Sequence, residues 1–345
     1  MHNASDTTYY NVDSIMIYDP SVSYDVLLND IPSVPFVDYW SGLFSFNKTF
    51  LDHLHEKWES CGYADFYEEA LSFPPKGLLP TPPNLHGNRT DCSLWVCLQY
   101  CVAECRDGAA SSCTDADIDS PQNEIYEAAP LVNPCWNVYQ VSTICPLLWD
   151  VLGFPGSFAY QPEGTDIYFN RTDVQRAINA PIREWEECSN GVLDNDDSPP
   201  SGLSVLPRVI EKNQRTVIGH GMLDFILLAN GTLMTIQNMT WNGAQGFSKF
   251  PEEEFFVPYH EELNLGTLTG AGVQGRYRTE RNLTYVEVNL SGHMQPQMAA
   301  GAAYRHLEYL LGRVPDLGSR LPFTTQKGDF GNGIGAGGSN ATMAL

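Results

Sequence analysis

The chain has 345 residues and a mass of 38.4 kDa, with 43% hydrophobic and 12% aromatic side chains. That is enough for one large domain or two ordinary ones, and it excludes global disorder. Nineteen Lys and Arg stand against 42 Asp and Glu, a formal charge of −23, which repels nucleic acid and anionic membranes and excludes both as partners.

In chain order, "VDSIMIY" (12–18) is a short apolar run ended by Asp19-Pro20, a buried strand closed by a turn. Residues 31–195 hold most of the cysteines, many aromatics and Pro-rich loops, of which "FPPKGLLPTPP" (73–83) is the clearest. Phe50, Leu54 and Trp58 give 47–60 helical spacing. A second helix opens at "TDVQRAI" (172–178), with Thr172 or Asp173 as its cap. After the polar break "DNDDSPPSG" (194–202), "TVIGHGMLDF" (216–225) reads as a strand entering a Gly-rich turn, and "MLDFILLANGTLMTIQ" (222–237) as an apolar helix. A hairpin turning at Arg281-Asn282 follows in 272–293. An amphipathic helix spans 296–314, from Pro296 to near Gly312, and from Leu321 the chain is Gly-rich and expected to be unfolded. The order of strand, helix, hairpin and helix predicts an α/β sheet interrupted by an insertion.

Nine sequons, at Asn3, Asn47, Asn88, Asn170, Asn230, Asn238, Asn282, Asn289 and Asn340, exceed the roughly three that chance would produce. With nine cysteines they predict a secreted or vacuolar, lumenal glycoprotein carrying N-glycans and disulfides. Cys97, Cys101 and Cys105 would share a helical face, which also suits a metal, but an oxidising lumen favours disulfides. His53 and His55 are two apart and point away from each other on a helix, so no metal or other cofactor is expected. No segment approaches the ~18 apolar residues of a membrane span, and Met1 opens no signal peptide. The odd cysteine count and the absent export signal lead us to read the chain as truncated at its start.

Two stretches could carry chemistry. Gly219 to Asp224 follows one strand, and Ser291 to Pro296 follows a later one. In open α/β sheets the active site lies in the loops after strand ends. An Asp after one strand and a His after a later one can orient an imidazole as a general base, in the order seen in α/β-hydrolases. Taken singly, an Asp placed like Asp224 is more often a turn or cap residue, His293 is equally a loop histidine, and His220 competes as the base.

At these residues the chain resembles the secreted serine carboxypeptidases, filamentous-fungal branch, through "GMLDFILLANGT" (221–232) and "LTYVEVNLSGHMQPQMAAGAAYRHLEYLLGR" (283–313). The likeness extends upstream to "IMIYDPSVSYDV" and "IPSVPFVDYW" and covers about 9–314. It implies an α/β-hydrolase fold with a disulfide-rich insertion, removing C-terminal residues from peptides and proteins through an acyl-enzyme. Asp224 and His293 match the family's triad Asp and His, and Met294 matches the Met that lines the site near the leaving amino acid. Gln295 stands where the family commonly has Val and is expected to alter pocket polarity. The family's Gly-Glu-Ser-Tyr-Ala-Gly is absent, as is any Gly-x-Ser-x-Gly, so the chain alone is expected to be inactive. The alternative is a non-catalytic glycoprotein that uses this scaffold for binding. The resemblance divides the chain into a core segment at 1–30, a disulfide-rich, partly helical insertion at 31–195, a core carrying Asp224 and His293 at 196–320, and an unfolded tail at 321–345. An incomplete sheet would leave the strand of Ile15 and Ile17 with an unpaired edge.

Overall fold

Residues 12–85, 121–145, 163–185, 196, 198–260 and 270–325 are described by a computed structural model of the chain. Seven strands lie among them: β1 (Ser14–Tyr18), β2 (Arg215–Gly221), β3 (Thr240–Trp241), β4 (Ala244–Gln245), β5 (Glu253–Val257), β6 (Gly272–Glu280) and β7 (Leu283–Val288). Five form one sheet in the order β1-β2-β7-β6-β5, while β3 and β4 make a separate ribbon. β1, β2 and β7 run parallel, β6 returns antiparallel to β7, and β5 in turn runs antiparallel to β6. Among the described residues β1 pairs with β2 alone, so it lies at an edge of the sheet. The β6–β7 turn is at Arg281-Asn282 as expected, both with positive φ (53° and 72°), the twist a two-residue hairpin requires.

Alternate strand residues feed opposite cores, as a sheet covered on both faces demands. Val217, Val286 and Val288 face Ala302 and Tyr309 of the C-terminal helical segment. Ile218, Leu283 and Tyr285 face Ile210, Leu233 and Ile236 on the other side. The insertion is more helical than its loop-rich sequence suggests. It supplies α1 (Ile31–Tyr39), α2 (Ser41–Phe44), α3 (Lys48–Ser60), α4 (Tyr63–Ala70), α5 (Pro121–Val132) and α6 (Thr172–Ala177). α3 is the helix foreseen in 47–60, capped by Asn47, whose Oδ1 accepts the Phe50 N–H at 3.0 Å. Cys135 and Cys145 are joined in a disulfide, and Cys61 is disulfide-bonded as well. The other six cysteines, including Cys97, Cys101 and Cys105, lie outside the described residues.

Four local expectations are corrected. Neither Thr172 nor Asp173 caps α6: Arg171 holds that position, and Asp173 instead pairs with the Arg171 guanidinium at 2.7 Å. The apolar run from Met222 is not helical throughout. After α7 (Leu206–Lys212) and β2, the chain turns through Asp224, and α8 (Ala229–Asn238) begins only after that turn. The C-terminal helix is broken into α9 (Gln295–Met298) and α10 (Ala300–Leu310) at Ala299 (φ −140°, ψ 57°), a wholly buried residue in the core beneath the sheet. The expected unfolding from Leu321 does not hold through Thr325. Phe323 is buried, the Arg305 guanidinium donates to Leu321 O at 2.5 Å, and Glu308 Oε1 accepts the Thr324 N–H and hydroxyl. Buried charges need partners, and this strap supplies them. The Gly-rich remainder, 326–345, lies outside the described residues.

Candidate active site

β2 and β7 are neighbours, with Gly221 paired to Val288, so the turns that leave their carboxyl ends emerge side by side. Two glycines let those turns close on each other and on the insertion. A Cβ on Gly221 would lie 2.2 Å from Gly292 O, and one on Gly292 would lie 2.0 Å from Tyr139 O. Neither backbone could come so close with a side chain between them. The contact is sealed by main-chain hydrogen bonds from Met222 N to Val288 O (3.0 Å) and Leu223 N to Ser291 O (2.9 Å).

The insertion clamps both turns. Within the loop closed by Cys135 and Cys145, Val138 O accepts the Phe225 N–H (2.9 Å), Val141 N donates to Leu223 O (3.0 Å), and Tyr139 O accepts the His293 N–H (2.8 Å). Leu223 and Phe225 enter a core with Phe36, Phe44, Leu54 and Ile125, while Trp40 Nε1 donates to Met222 O at 2.7 Å.

Between those two anchored residues, Asp224 is fully buried. Its Oδ1 accepts the Ile226 N–H (2.8 Å) and the Leu227 N–H (3.3 Å), the self-made turn typical of Asp, and its Oδ2 lies 2.8 Å from His293 Nδ1. Three polar partners thus hold this one carboxyl group in place. The His293 side chain is 23% exposed, and among the described residues its Nε2 has no hydrogen-bond partner. Burial by itself lowers the basicity of this imidazole, but the charge and hydrogen bond of Asp224 more than offset it, and the net direction is upward. The ring is therefore oriented, charge-stabilised on one side and open on the other, which is what a general base needs.

Met294 is half-buried next in sequence and begins α9. His220, the rival base, is wholly buried, its Nε2 is 2.6 Å from Leu227 O, and burial lowers its pKa. It buttresses the turn and cannot reach a substrate. His53 and His55 turn to different acids, Glu124 and Asp38, on either side of buried Leu54. Gln295 does not alter a pocket: it is wholly buried and directs its amide at Asp19 Oδ2, 3.4 Å away. Sequence reasoning missed Asp19 altogether as a site residue. It read there as a strand-ending turn, and nothing local signals a partner 202 positions away at Gly221, whose N–H its Oδ1 accepts at 2.8 Å.

Residues 2–313 match the serine carboxypeptidase family profile. The chain belongs to the serine carboxypeptidase family. It is 50% identical over 320 residues to a protein of Arthroderma benhamiae named "Probable serine carboxypeptidase", a match covering 92% of this chain and 55% of that one. It is 38% identical over 328 residues to serine-type carboxypeptidase F of Aspergillus niger, covering 90% and 56%. The chain thus spans about half the length of the curated relatives it matches. In fold it resembles the crystal structure of a Kex1 prohormone-processing carboxypeptidase from Saccharomyces cerevisiae, at a TM-score of 0.53 and 19% identity over 90% of this chain and 57% of that one. The family and the α/β-hydrolase type of sheet are those expected from the two turns.

Proposed function

We propose that this chain carries the proton-handling pair of a serine-type carboxypeptidase, an enzyme that removes C-terminal residues from peptides and proteins. The observation that carries the reading is the 2.8 Å contact between a fully buried Asp224 and the Nδ1 of a His293 whose Nε2 is open. In the proposed reaction Nε2 takes the proton of an attacking hydroxyl and returns it to the leaving amine, while Asp224 stabilises the imidazolium between those steps. The sequence contains no Gly-x-Ser-x-Gly turn, so the hydroxyl is not assigned to a residue of this chain. Met294, beside the base, is proposed to wall the space of the departing amino acid. No described helix is long and apolar enough to cross a membrane.

The proposed setting is the secretory path, vacuolar or extracellular, with N-glycans. Asn47 and Asn289 are exposed and suited to carry them, whereas Asn230 commits its amide to Tyr67 Oη at 2.6 Å. Peptide mapping after expression in a glycosylating host should find sugar on the first two and none on Asn230.

The functional test joins the chain to the portion of the Arthroderma benhamiae relative that the match leaves uncovered, and assays a blocked dipeptide. Release of the C-terminal residue by the fusion, lost on His293→Ala, is the expected result. A fusion that keeps its rate with His293→Ala would sink the proposal, and turnover by the chain alone would refute its expected inertness.

A further inference from the structure

Beneath the Asp224–His293 pair lies a second carboxyl group for which the chemistry above has no task. Asp19 is buried, and one of its oxygens, one of Asp224 and a ring nitrogen of His293 all lie within 4.8 Å of one another. Its backbone is left-handed (φ 41°), a conformation that non-glycine residues seldom adopt and that asparagine and aspartate tolerate best. That conformation lets its N–H donate to Gly219 O at 2.9 Å while its side chain turns back toward β2. Oδ1 then accepts the Gly221 N–H at 2.8 Å, and Oδ2 faces Gln295 Nε2 at 3.4 Å. Gly221 is the residue whose backbone touches Gly292, so whatever fixes Gly221 fixes the approach of both turns.

We propose that Asp19 is a positioning residue of the dyad: with Gln295 behind it, its carboxyl pins Gly221 against the end of β1 and stays uncharged, so that it sets no charge of its own beside His293. The proposal rests on reading Asp224 and His293 as the acid–base pair, and deepens that reading. The titratable groups around Asp19 are Asp224 from the turn, His220 from β2, His293 and Tyr285 from β7 and its following loop, and Tyr18 from β1. None of these is a fixed cation. His220 Nε2, 3.5 Å from Oδ1, is no counter-ion, because it is spent on Leu227 O and burial keeps the ring neutral. Burial first, and repulsion by Asp224 second, push the Asp19 carboxyl well above the usual carboxylate range, against smaller opposing effects of Gly221 and Gln295. Two neighbouring buried carboxyls share one charge when one of them holds the proton.

The test is NMR on the full chain labelled with 13C-aspartate and 15N-histidine, alongside Asp19→Asn and Asp19→Ala. The carboxyl carbon that disappears in Asp19→Asn is expected to titrate above the ordinary carboxylate range. Asn retains an oxygen for Gly221 and tolerates the left-handed backbone, so His293 should titrate within about 0.3 pH unit of its original midpoint. Ala has no acceptor. With it, the low-field Nδ1–H resonance of His293 should weaken or vanish, and its midpoint should fall by about one unit. An Asp19 carbon that titrates in the ordinary carboxylate range, an Asn variant that moves His293 as far as Ala does, or an Ala variant without effect would each overturn the proposal. Should the Ala variant fail to fold, the carbon shift and the Asn variant still decide. A His293 with no low-field proton in the unaltered chain would instead refute the Asp224–His293 pairing itself.

Discussion

Gly292→Ala tests the idea that close backbone approach, and no special side chain, lets the insertion clamp the His293 turn. The added Cβ would lie 2.0 Å from Tyr139 O and 2.8 Å from Gln140 Cβ. A close C···O contact is roughly 3.3 Å, so the Cys135–Cys145 loop and the His293 turn must part by about 1 Å. The parting stretches the 2.8 Å bond from His293 N to Tyr139 O, and leaving a buried donor unsatisfied costs about 1–3 kcal/mol. Overpacking elsewhere in the contact costs about 1–3 kcal/mol more. These do not fully add, and a loss of about 2–4 kcal/mol is expected in urea unfolding. A shift of about 1 Å in the base also costs of order a hundredfold in rate, to be read from the fusion described above. The signature in the chain itself is a lower titration midpoint for His293 as its pairing with Asp224 loosens. A variant that loses less than about 0.5 kcal/mol and leaves His293 unchanged would refute the reasoning.

Three further outcomes are expected. Asp224→Asn keeps an oxygen for Ile226 and Leu227 but removes the charge, so burial alone governs His293 and its midpoint should fall below the ordinary ~6.5. Because Asp224 raises that value in the fold, the stability it supplies is complete below ~6.5 and fades as pH rises through the folded value; the gap between the two proteins should narrow in alkali. His306, fully buried against Phe255 and hydrogen-bonded to Tyr18, has its pKa pushed down to about 3 by burial. The unfolded chain takes up that proton first as pH falls below ~6.5, so this group should cost the fold roughly 3 kcal/mol by pH 4.5, a share of the pH dependence that His306→Phe should remove in urea titrations at the two pH values. Glu308→Ala strands the Arg305 guanidinium, 2.9 Å from Glu308 Oε2 and fully buried. About 3–5 kcal/mol should be lost, and trypsin should gain access to Arg320 as the strap at 321–325 comes free. Unchanged stability and an intact Arg320 would show that the strap is held by other means.

Residues local in sequence determined much of this protein. The alternation in 283–288 and the paired positive-φ residues at 281–282 required a hairpin. The 3.6-residue spacing of Phe50, Leu54 and Trp58 announced α3, and a Gly-rich turn after each of two strands marked where an Asp and a His would stand. Helical spacing, strand alternation and tight turns obey near-neighbour sterics, so they can be read a few residues at a time. What needed the folded chain was everything joined across long stretches of sequence. Asp19 meets Gly221 over 202 positions, Tyr139 takes the His293 amide across more than 150, and Gln295 turns inward because a buried carboxyl awaits it. The apolar run at 222–228 likewise spells a helix on paper, yet hydrogen bonds to Ser291, Val138 and Val141 hold it as a turn. Such contacts depend on which surfaces the sheet brings together, and the backbone groups that make them carry no signature in the residue types at either end.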